Sequence, residues 1–545
     1  MRWRTFALGF TLWCGGNGNF GKSMETLLPP CVLYEDEHLL VVNKPPGVNT
    51  HAPAPHAGEG IYDWLRHREP RWGGLAIIHR LDKETSGVLV FAKTKLACQS
   101  LTEQFTHRKI QKRYVFLTEG RPRRASWTMQ SAMARAGERY ISRPRRGDSE
   151  LAVTRFRVLR DGPPAWVEAQ PLTGRTHQIR VHAAESGCPI LGDVLYGGPV
   201  AARLCLHAAE ISFRHPATGK DLRWEVPVDF STEPVMLLRQ AFIHPEETDA
   251  YRRLHGAADE RPGLYVDKWG EFWLAQAATL PSGMSPPEGG GLYFRPWLPS
   301  VRGKSAQDVS PRHVAGKQAP EYFLIRENGV AFEIRFSEGY SVGLFLDQRD
   351  NRRRLLVGHV ARDFPLYKHP PPHEVLNVFA YTCGFSVCAA LGGARTTSLD
   401  LSRKYLEWGR RNFAWNKLDA ATHDFIYGDA FEWLKRLARK GRRFDVVLLD
   451  PPTFSQSREH GVFRVEKDYA ELVQRALPLV RADGVLLVCA NAATLPAARF
   501  VEMVHGAVAR GGRVIRQEHY APQPPDFPIS REEPAYLKTL WLRLT

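Results

Sequence analysis

Glu374-Val-Leu-Asn-Val-Phe-Ala-Tyr-Thr-Cys-Gly384 is the stretch on which the fold turns. Its apolar run, Val375 to Phe379, has the length of a strand, and after a turn a helical pattern follows near Ser386 to Leu391. The alternation then repeats: strand Thr397 to Leu399, helix Lys404 to Asn416, strand Asp424 to Tyr427, helix Ala430 to Arg439, strand Asp445 to Leu449, helix Tyr469 to Leu479, strand Val485 to Cys489. Strands alternating with helices predict a parallel, doubly wound sheet, which binds its ligand beyond the carboxyl ends of the strands. Those ends carry Asn377 to Gly384, Leu399-Asp400, Gly428-Asp429-Ala430 and Asp450-Pro-Pro-Thr-Phe454. The first loop is not G-x-G-x-x-G, so a dinucleotide is disfavoured; an acid or amide at each strand end suits an adenosine-bearing ligand.

Upstream, the period changes. From Cys31 to about Val228 short β-type runs dominate, among them Leu39 to Lys44, Leu75 to Ile78, Gly87 to Ala92, Tyr114 to Thr118 and Trp166 to Gln170. One mainly antiparallel α+β domain with a few helices is expected. A helical pattern at Glu246 to Leu254 opens a smaller α+β unit, with a hairpin made by Gly263 to Gly270 and Phe272 to Gln276. Pro281 to Pro320 reads as a loop or linker, and strands resume at Tyr322 to Ile325 and Val330 to Phe336. The expected division is an extension over 1–24, an antiparallel-sheet domain over 25–240, the small α+β domain with its linker over 241–340, and the doubly wound domain over 341–545.

Composition narrows the function. Of 545 residues 43% are hydrophobic and 24% charged, which excludes a wholly disordered chain. No run approaches the roughly 20 apolar residues of a membrane span. The eight cysteines are scattered without a C-x-x-C pair, which argues against a zinc ribbon or disulfide scaffold and suits a reducing cytoplasm. Lys plus Arg number 74 against 58 Asp plus Glu, a net charge of +16, so a polyanion such as RNA is the expected partner. Arg2, Arg4 and the apolar run Phe6 to Trp13 have some features of a secretory signal but no small-residue cleavage pattern; the preferred reading is an upstream start, with Met24 the true beginning.

His79-Arg-Leu-Asp-Lys-Glu-Thr-Ser-Gly87 places Asp82 on a loop held at both ends by strands. An isolated loop Asp usually caps its own backbone. Here two further elements follow in order, Lys112-Arg-Tyr114 and Thr173-Gly-Arg-Thr-His-Gln-Ile-Arg-Val-His182, with Pro189 to Asp193 and Leu206-His-Ala208 behind them. From about Leu33 to Pro227 the chain resembles the RluA-type pseudouridine synthases. The resemblance implies that Asp82 acts on the sugar of a uridine as nucleophile or base, without cofactor or metal. It further implies that Tyr114 stacks on the uracil and serves in proton transfer, and that Arg180 pairs with Asp82. Taken alone, Arg180 reads as a surface strand residue. Between Arg108 and Arg146 basic residues outnumber the two acids, Glu119 and Glu138, with Trp127 and Tyr140 interleaved, which reads as a phosphate-tracking surface.

From about Tyr251 onward the chain resembles class I S-adenosylmethionine-dependent methyltransferases, and more closely the RlmI and RlmK type that modify large-subunit ribosomal RNA. Gly343-Leu-Phe-Leu-Asp-Gln-Arg-Asp-Asn-Arg352, Asn377 to Gly384, Leu399 to Ser402, Asn412 to Leu418 and Asp450 to Ser455 carry the likeness. It implies that Asp400 binds the ribose hydroxyls and Asp429 the adenine amino group of S-adenosylmethionine, against a plain alternative of helix capping for both. Asn377, Phe379 and Gly384 would shape the methionine end, and Asp347, Gln348 and Arg349 would close over the cofactor. Asp450, Pro451, Pro452 and Phe454 would hold a flipped base.

The methylated atom can also be argued. Cytosine C5 requires a cysteine thiolate to attack C6 first, whereas guanine N7 has its own lone pair. In Gly484 to Ala492 the position expected for that cysteine is Asn491, and Cys489 falls two residues earlier, about 7 Å back along the strand. Guanine N7 is therefore favoured. The alternatives are cytosine C5 methylation, or an RNA-binding ribosome-assembly factor without catalysis.

Overall fold

The computed structural model describes residues 27–144, 151–297, 305–457 and 461–545. The expectation for Met24 lies outside the described residues, as does the side chain of Phe454.

The first sheet takes β1 (Val32–Glu35), β2 (Leu39–Lys44), β3 (Ser86–Ala92), β4 (Gln111–Thr118), β5 (Ser126–Ala136), β6 (Arg139–Arg143), β7 (Leu151–Arg160), β8 (Ala165–Pro171) and β9 (Leu206–Arg214). They run in the order β1-β2-β3-β9-β4-β8-β7-β5-β6 within an 11-stranded sheet. All these neighbours are antiparallel except β3 and β9. The centre is buried on both faces, which is why β3 reads as a continuous apolar run. Val88 and Val90 pack with Ala97 and Leu101 of α2 (Lys95–Thr106), while Leu89 and Phe91 pack with Trp64 and Leu65 of α1 (Ile61–Arg68). Gly87 has φ +119°, and a Cβ there would fall 2.2 Å from the Ala208 carbonyl oxygen. Only glycine lets β3 start this close to β9. Two further helices complete this half, α3 (Gln178–Glu185) and α4 (Pro234–Phe242).

Next comes a five-stranded sheet in chain order, β10 (Ala250–His255), β11 (Tyr265–Trp269), β12 (Phe272–Ala277), β13 (Gly291–Pro296) and β14 (Arg312–Gly316). The expected hairpin is β11 and β12, paired from Tyr265 opposite Gln276. Two expectations are corrected. The helix expected at Glu246 to Leu254 is absent: one turn forms, Thr248 N–H donating to the His244 carbonyl at 2.8 Å, and then the ladder with β11 claims the backbone. Cation–π contacts of Arg252 with Phe527 and of Arg253 with Trp273 hold that strand. The Pro281 to Pro320 linker contains β13, parallel to β12, and β14 at the edge; its Pro and Gly residues flank strands rather than replace them. A hairpin of β15 (Phe323–Glu327) and β16 (Val330–Ile334) follows, then α5 (Arg349–Val357).

The last sheet is doubly wound. Its strands are β17 (His373–Val378), β18 (Ala394–Asp400), β19 (Asp424–Tyr427), β20 (Phe444–Leu449), β21 (Val480–Asn491), β22 (Ile515–Tyr520) and β23 (Leu537–Leu544). The order is β19-β18-β17-β20-β21-β23-β22; the first five are parallel, and β23 is antiparallel to both neighbours. Helices α6 (Gly384–Leu391), α7 (Arg403–Trp415), α8 (Ala430–Arg439), α9 (Val465–Ala476) and α10 (Ala497–Arg510) cover it. Val446 and Leu448 of β20 enter one core, Val447 and Leu449 the other. Truncating one of these leucines to alanine costs about 2–5 kcal/mol. Strand order reverses between β17 and β20, so a crevice opens at their carboxyl ends.

The two halves meet through α1 and α5. Trp64 donates its indole N–H to Asp350 at 3.0 Å, Arg353 pairs with Glu69, and His359 bonds the Arg66 carbonyl at 3.1 Å. Among the described residues no helix is long and apolar enough to cross a membrane.

Candidate active sites

A cavity of about 610 Å³ opens at the carboxyl side of the loop before β3, lined by Asp82, Lys112, Tyr114, His177 and Arg180 among others. The loop is braced from below. Lys44, fully buried, donates from Nζ to the carbonyls of Pro45, Val48 and Lys83 at 2.9, 2.7 and 2.9 Å, and burial pulls its pKa down to about 7. The Thr50 hydroxyl exchanges two hydrogen bonds with the Leu81 backbone. Half-buried His79, its pKa lowered to about 3 by desolvation, accepts the Val90 N–H at 3.2 Å. Tyr114 is buried on β4, and its pKa is raised first by burial and then by the charge of Asp82.

Arg180 is on α3, not on a strand as its sequence context suggested. Its pairing with Asp82 is also looser than expected. Nε and Nη2 make a bidentate pair with Asp193 at 2.8 and 2.7 Å, and Nη1 faces Asp82 Oδ2 at 3.6 Å. Burial opposes the charge on Arg180, but the Asp193 hydrogen bonds outweigh it. Asp193 thus fixes the guanidinium, which then presents one free corner to Asp82. His177 Nε2 approaches the same Oδ2 at 3.8 Å.

The second cavity, about 570 Å³, occupies the crevice at β17 and β20. It is lined by Asp347, Gln348, Phe379, Gly384, Asp400, Asp429, Asp450, Pro451 and Pro452, all expected, and by Arg352, Tyr381, Tyr405 and Asn491. Between β17 and α6, Phe379, Tyr381 and Cys383 all take left-handed φ of 63°, 50° and 62°. Each costs about 1–3 kcal/mol, and such strain collects at functional sites. Asp400 accepts the backbone N–H of Tyr381 and of Ser402, both at 2.8 Å, and burial raises its pKa. It does not cap α7; Ser402 does, accepting from Tyr405 N–H. Asp429 does cap its helix: Oδ1 takes the N–H groups of Phe431 and Glu432, Oδ2 takes no part in the cap, and the residue lines the cavity. Gln348 donates to Asp450 Oδ2 at 3.2 Å, and burial together with the neighbouring charge of Asp347 pushes Asp450 up to about 7.

Two expected residues are not on the wall of this cavity. Arg349 turns away from the cavity into a buried bidentate pair with Asp526, 2.9 Å from Nη1 and 2.5 Å from Nη2. Asn377 lies under the cavity on β17, donating to Ser386 Oγ at 2.9 Å. An arginine in the first turn of a helix facing a buried acid from a distant strand loop cannot be foreseen from local sequence. Of the aromatics in the basic stretch, Trp127 stacks on Phe156 at 5.0 Å and serves the core, while Arg121, Arg123 and Arg124 are exposed as expected; Arg145 and Arg146 lie outside the described residues. Among the described residues one group could hold a metal, Glu59, His67 and His519 between the halves; it lines neither cavity, and Arg354 approaches Glu59 at 3.9 Å and His519 at 3.4 Å.

Residues 38–185 match the RNA pseudouridylate synthase family and residues 302–543 the S-adenosylmethionine-dependent methyltransferase family. A ribosomal RNA large subunit methyltransferase of Deinococcus radiodurans is 32% identical over 327 residues, 55% of this chain and 73% of its own. Ribosomal large subunit pseudouridine synthase C of Yersinia pestis is 39% identical over 216 residues, 37% of this chain and 67% of its own. The chain belongs to both families. A solved methyltransferase from Streptococcus mutans is 25% identical, with a TM-score of 0.46 over 61% of this chain and 87% of that one.

The protein is thus a pseudouridine synthase joined to a methyltransferase, with S-adenosylmethionine as the methyltransferase's cofactor. In the synthase half, sequence reasoning passed over Lys44, His177 and Asp193. His177 and Asp193 stood inside the quoted motifs, and an acid close in sequence to Arg180 was a usable signal. Nothing local marked Lys44 for burial. In the methyltransferase half it passed over Arg352, which lines the cavity while paired to Glu327 at 2.6 and 2.7 Å.

Proposed function

We propose that the chain modifies ribosomal RNA at two sites, forming pseudouridine with its N-terminal half and methylating a guanine at N7 with its C-terminal half. The observation that carries the reading is that each half has its own cavity with the expected carboxylates on its wall. The methyltransferase relative is named for large-subunit ribosomal RNA and the synthase relative for the ribosomal large subunit, and the net charge of +16 fits a polyanion.

In the synthase half the N1–C1′ bond of uridine breaks with its electron pair passing to N1, the uracil turns, and C5 bonds to C1′. N1 gains a proton and C5 loses one, so the product is an isomer. Asp82 acts on the sugar, Tyr114 stacks on the ring and takes part in the proton transfer, and Arg180 steadies the carboxylate; neither cofactor nor metal enters.

In the methyltransferase half Asp400 would hold the ribose diol and Asp429 Oδ2 the adenine amino group, while Phe379 and Gly384 border the methionine end. The residues fit: each carboxylate is oriented by backbone N–H groups and keeps lone pairs for a ligand. S-adenosylmethionine supplies a methyl group on a sulfonium. Asp450, Pro451, Pro452 and Phe454 hold the flipped base, with Asp347 and Gln348 beside it. Cys489 supports N7 over cytosine C5. Its side chain is fully buried, its thiol is raised well above the usual range by burial and by the charge of Asp450, and it does not line the cavity, whereas Asn491 does. A thiolate nucleophile has no place there.

Nucleoside mass spectrometry with position mapping on ribosomal and transfer RNA from a deletion strain tests the whole reading; one pseudouridine and one 7-methylguanosine should disappear. Cys489→Ala should retain methylation within about twofold. A covalent complex with 5-fluorocytidine RNA, lost in that variant, would establish cytosine C5 instead.

A further inference from the structure

His177 lies between Asp82 and the arginine-bearing hairpin of β5 and β6, and nothing above uses it. It precedes α3 with a left-handed φ of 56°. A chain of hydrogen bonds leads to its ring. The backbone N–H of Tyr140, on β6, donates to the Tyr196 hydroxyl at 2.9 Å. The hydroxyl keeps a second lone pair, so the far side of the ring decides: the Asp82 carboxylate facing Nε2 can only accept, which places the ring proton on Nε2 and lets the Tyr196 hydroxyl donate to His177 Nδ1, 2.8 Å away. Nδ1 is then an acceptor, and in a neutral imidazole the other nitrogen carries the proton. Burial keeps the ring neutral, against the pull of Asp82 and Asp193 and with the push of Arg180. Nε2–H therefore points at Asp82 Oδ2, 3.8 Å away.

Arg180 Nη1 approaches the same oxygen at 3.6 Å, itself fixed by Asp193 and lying over the Tyr196 ring at 5.0 Å. Both distances exceed a hydrogen bond by about half an ångström, the looseness usual before a substrate tightens a site. Two donors of different kinds thus converge on Oδ2. We propose that His177 is a positioning residue for pseudouridine formation: anchored at Nδ1 by the Tyr196 hydroxyl, it holds Asp82 Oδ2 so that Oδ1 is the oxygen presented to the ribose. The proposal rests on the reading of Asp82 as the catalytic carboxylate. The same hydrogen bonds place the hairpin that carries Arg135, Arg139 and Arg143 one hydroxyl away from His177.

The test uses four full-length chains: wild type, His177→Ala, His177→Gln and Tyr196→Phe. Pseudouridine formation is timed on large-subunit ribosomal RNA from a strain lacking the enzyme, and methylation by the same preparations reports folding. His177→Ala should lower kcat about 10- to 100-fold with KM for RNA within twofold, the usual scale for a supporting residue. Gln, neutral and with a terminal N–H, should recover most of that loss. Tyr196→Phe removes the anchor at Nδ1 and should lower kcat at least fivefold. A Tyr196→Phe chain as fast as wild type, or Gln no better than Ala, would overturn the positioning role while leaving the synthase reading intact. If His177→Ala also loses methylation, it has misfolded and the other two variants decide. A wild-type chain that forms no pseudouridine on this RNA would overturn the reading and the proposal together.

Discussion

The two cavities are built on opposite principles. In the synthase half the groups come from a loop, a strand and a helix, and their positions depend on other charged side chains: Arg180 on Asp193, the Asp82 loop on Lys44. In the methyltransferase half the groups lie at successive ends of one parallel sheet, and backbone N–H groups orient Asp400 and Asp429. A site held by paired side chains concentrates its function in few atoms. A site held by topology spreads it over many contacts, so single substitutions should cost far more in the first than in the second.

The largest expected effect is the sharpest test of that contrast. Asp82→Asn, an amide of nearly the same shape, should reduce pseudouridine formation by roughly 10³-fold or more while methylation persists; activity within tenfold of wild type would remove Asp82 from the chemistry. RNA affinity should be the property the halves share. Raising salt from 50 to 200 mM should weaken it about 10³-fold if some six phosphates are engaged, and Gln at Arg121, Arg123 and Arg124 should make the logarithmic salt slope shallower by about 2 to 3. An affinity indifferent to salt would refute the basic surface.

On the methyltransferase side the costs should be smaller. Asp429→Ala removes a charged acceptor and should weaken S-adenosylmethionine binding about 10- to 100-fold by calorimetry, with a stability loss of about 1 kcal/mol from the missing cap. A lower Tm with unchanged affinity would make Asp429 a cap and nothing more. The mildest effect concerns pH. Asp450, pushed up to about 7, carries a proton below that pH and accepts hydrogen bonds from a base fully only above it. Methylation kcat/KM should rise about fivefold between pH 6 and 7 and by a further factor of about two to pH 8, and Asp450→Asn should flatten the profile. A wild-type profile flat across that range would separate Asp450 from base recognition.

Much of this architecture was legible in order of local signal strength. Every strand and helix expected between Glu374 and Cys489 has its counterpart, because strand and helix periods alternate there without interruption. The weak-signal stretches failed. Glu246 to Leu254 carries a helical pattern, but the edge of β11 and two aromatic faces captured it as a strand, and β13 and β14 were hidden by the Pro and Gly around them. The motifs likewise fixed which residues gather, since Asp82, Tyr114 and Arg180 share one cavity wall, and Asp347, Asp400, Asp429 and Asp450 another.

The partners of those residues were a different matter. That Arg349 leaves the cofactor crevice for Asp526, that Arg180 spends two nitrogens on Asp193 and one on Asp82, and that Tyr196 anchors His177 are contacts between residues 177, 13, 98 and 19 positions apart. Sequence by itself determined element type and the identity of the chemical groups, because both follow from local period and side-chain chemistry. Only the tertiary structure decided which charge meets which, because a buried ion pair forms wherever packing leaves two desolvated partners within reach, and that distance is written nowhere along the chain.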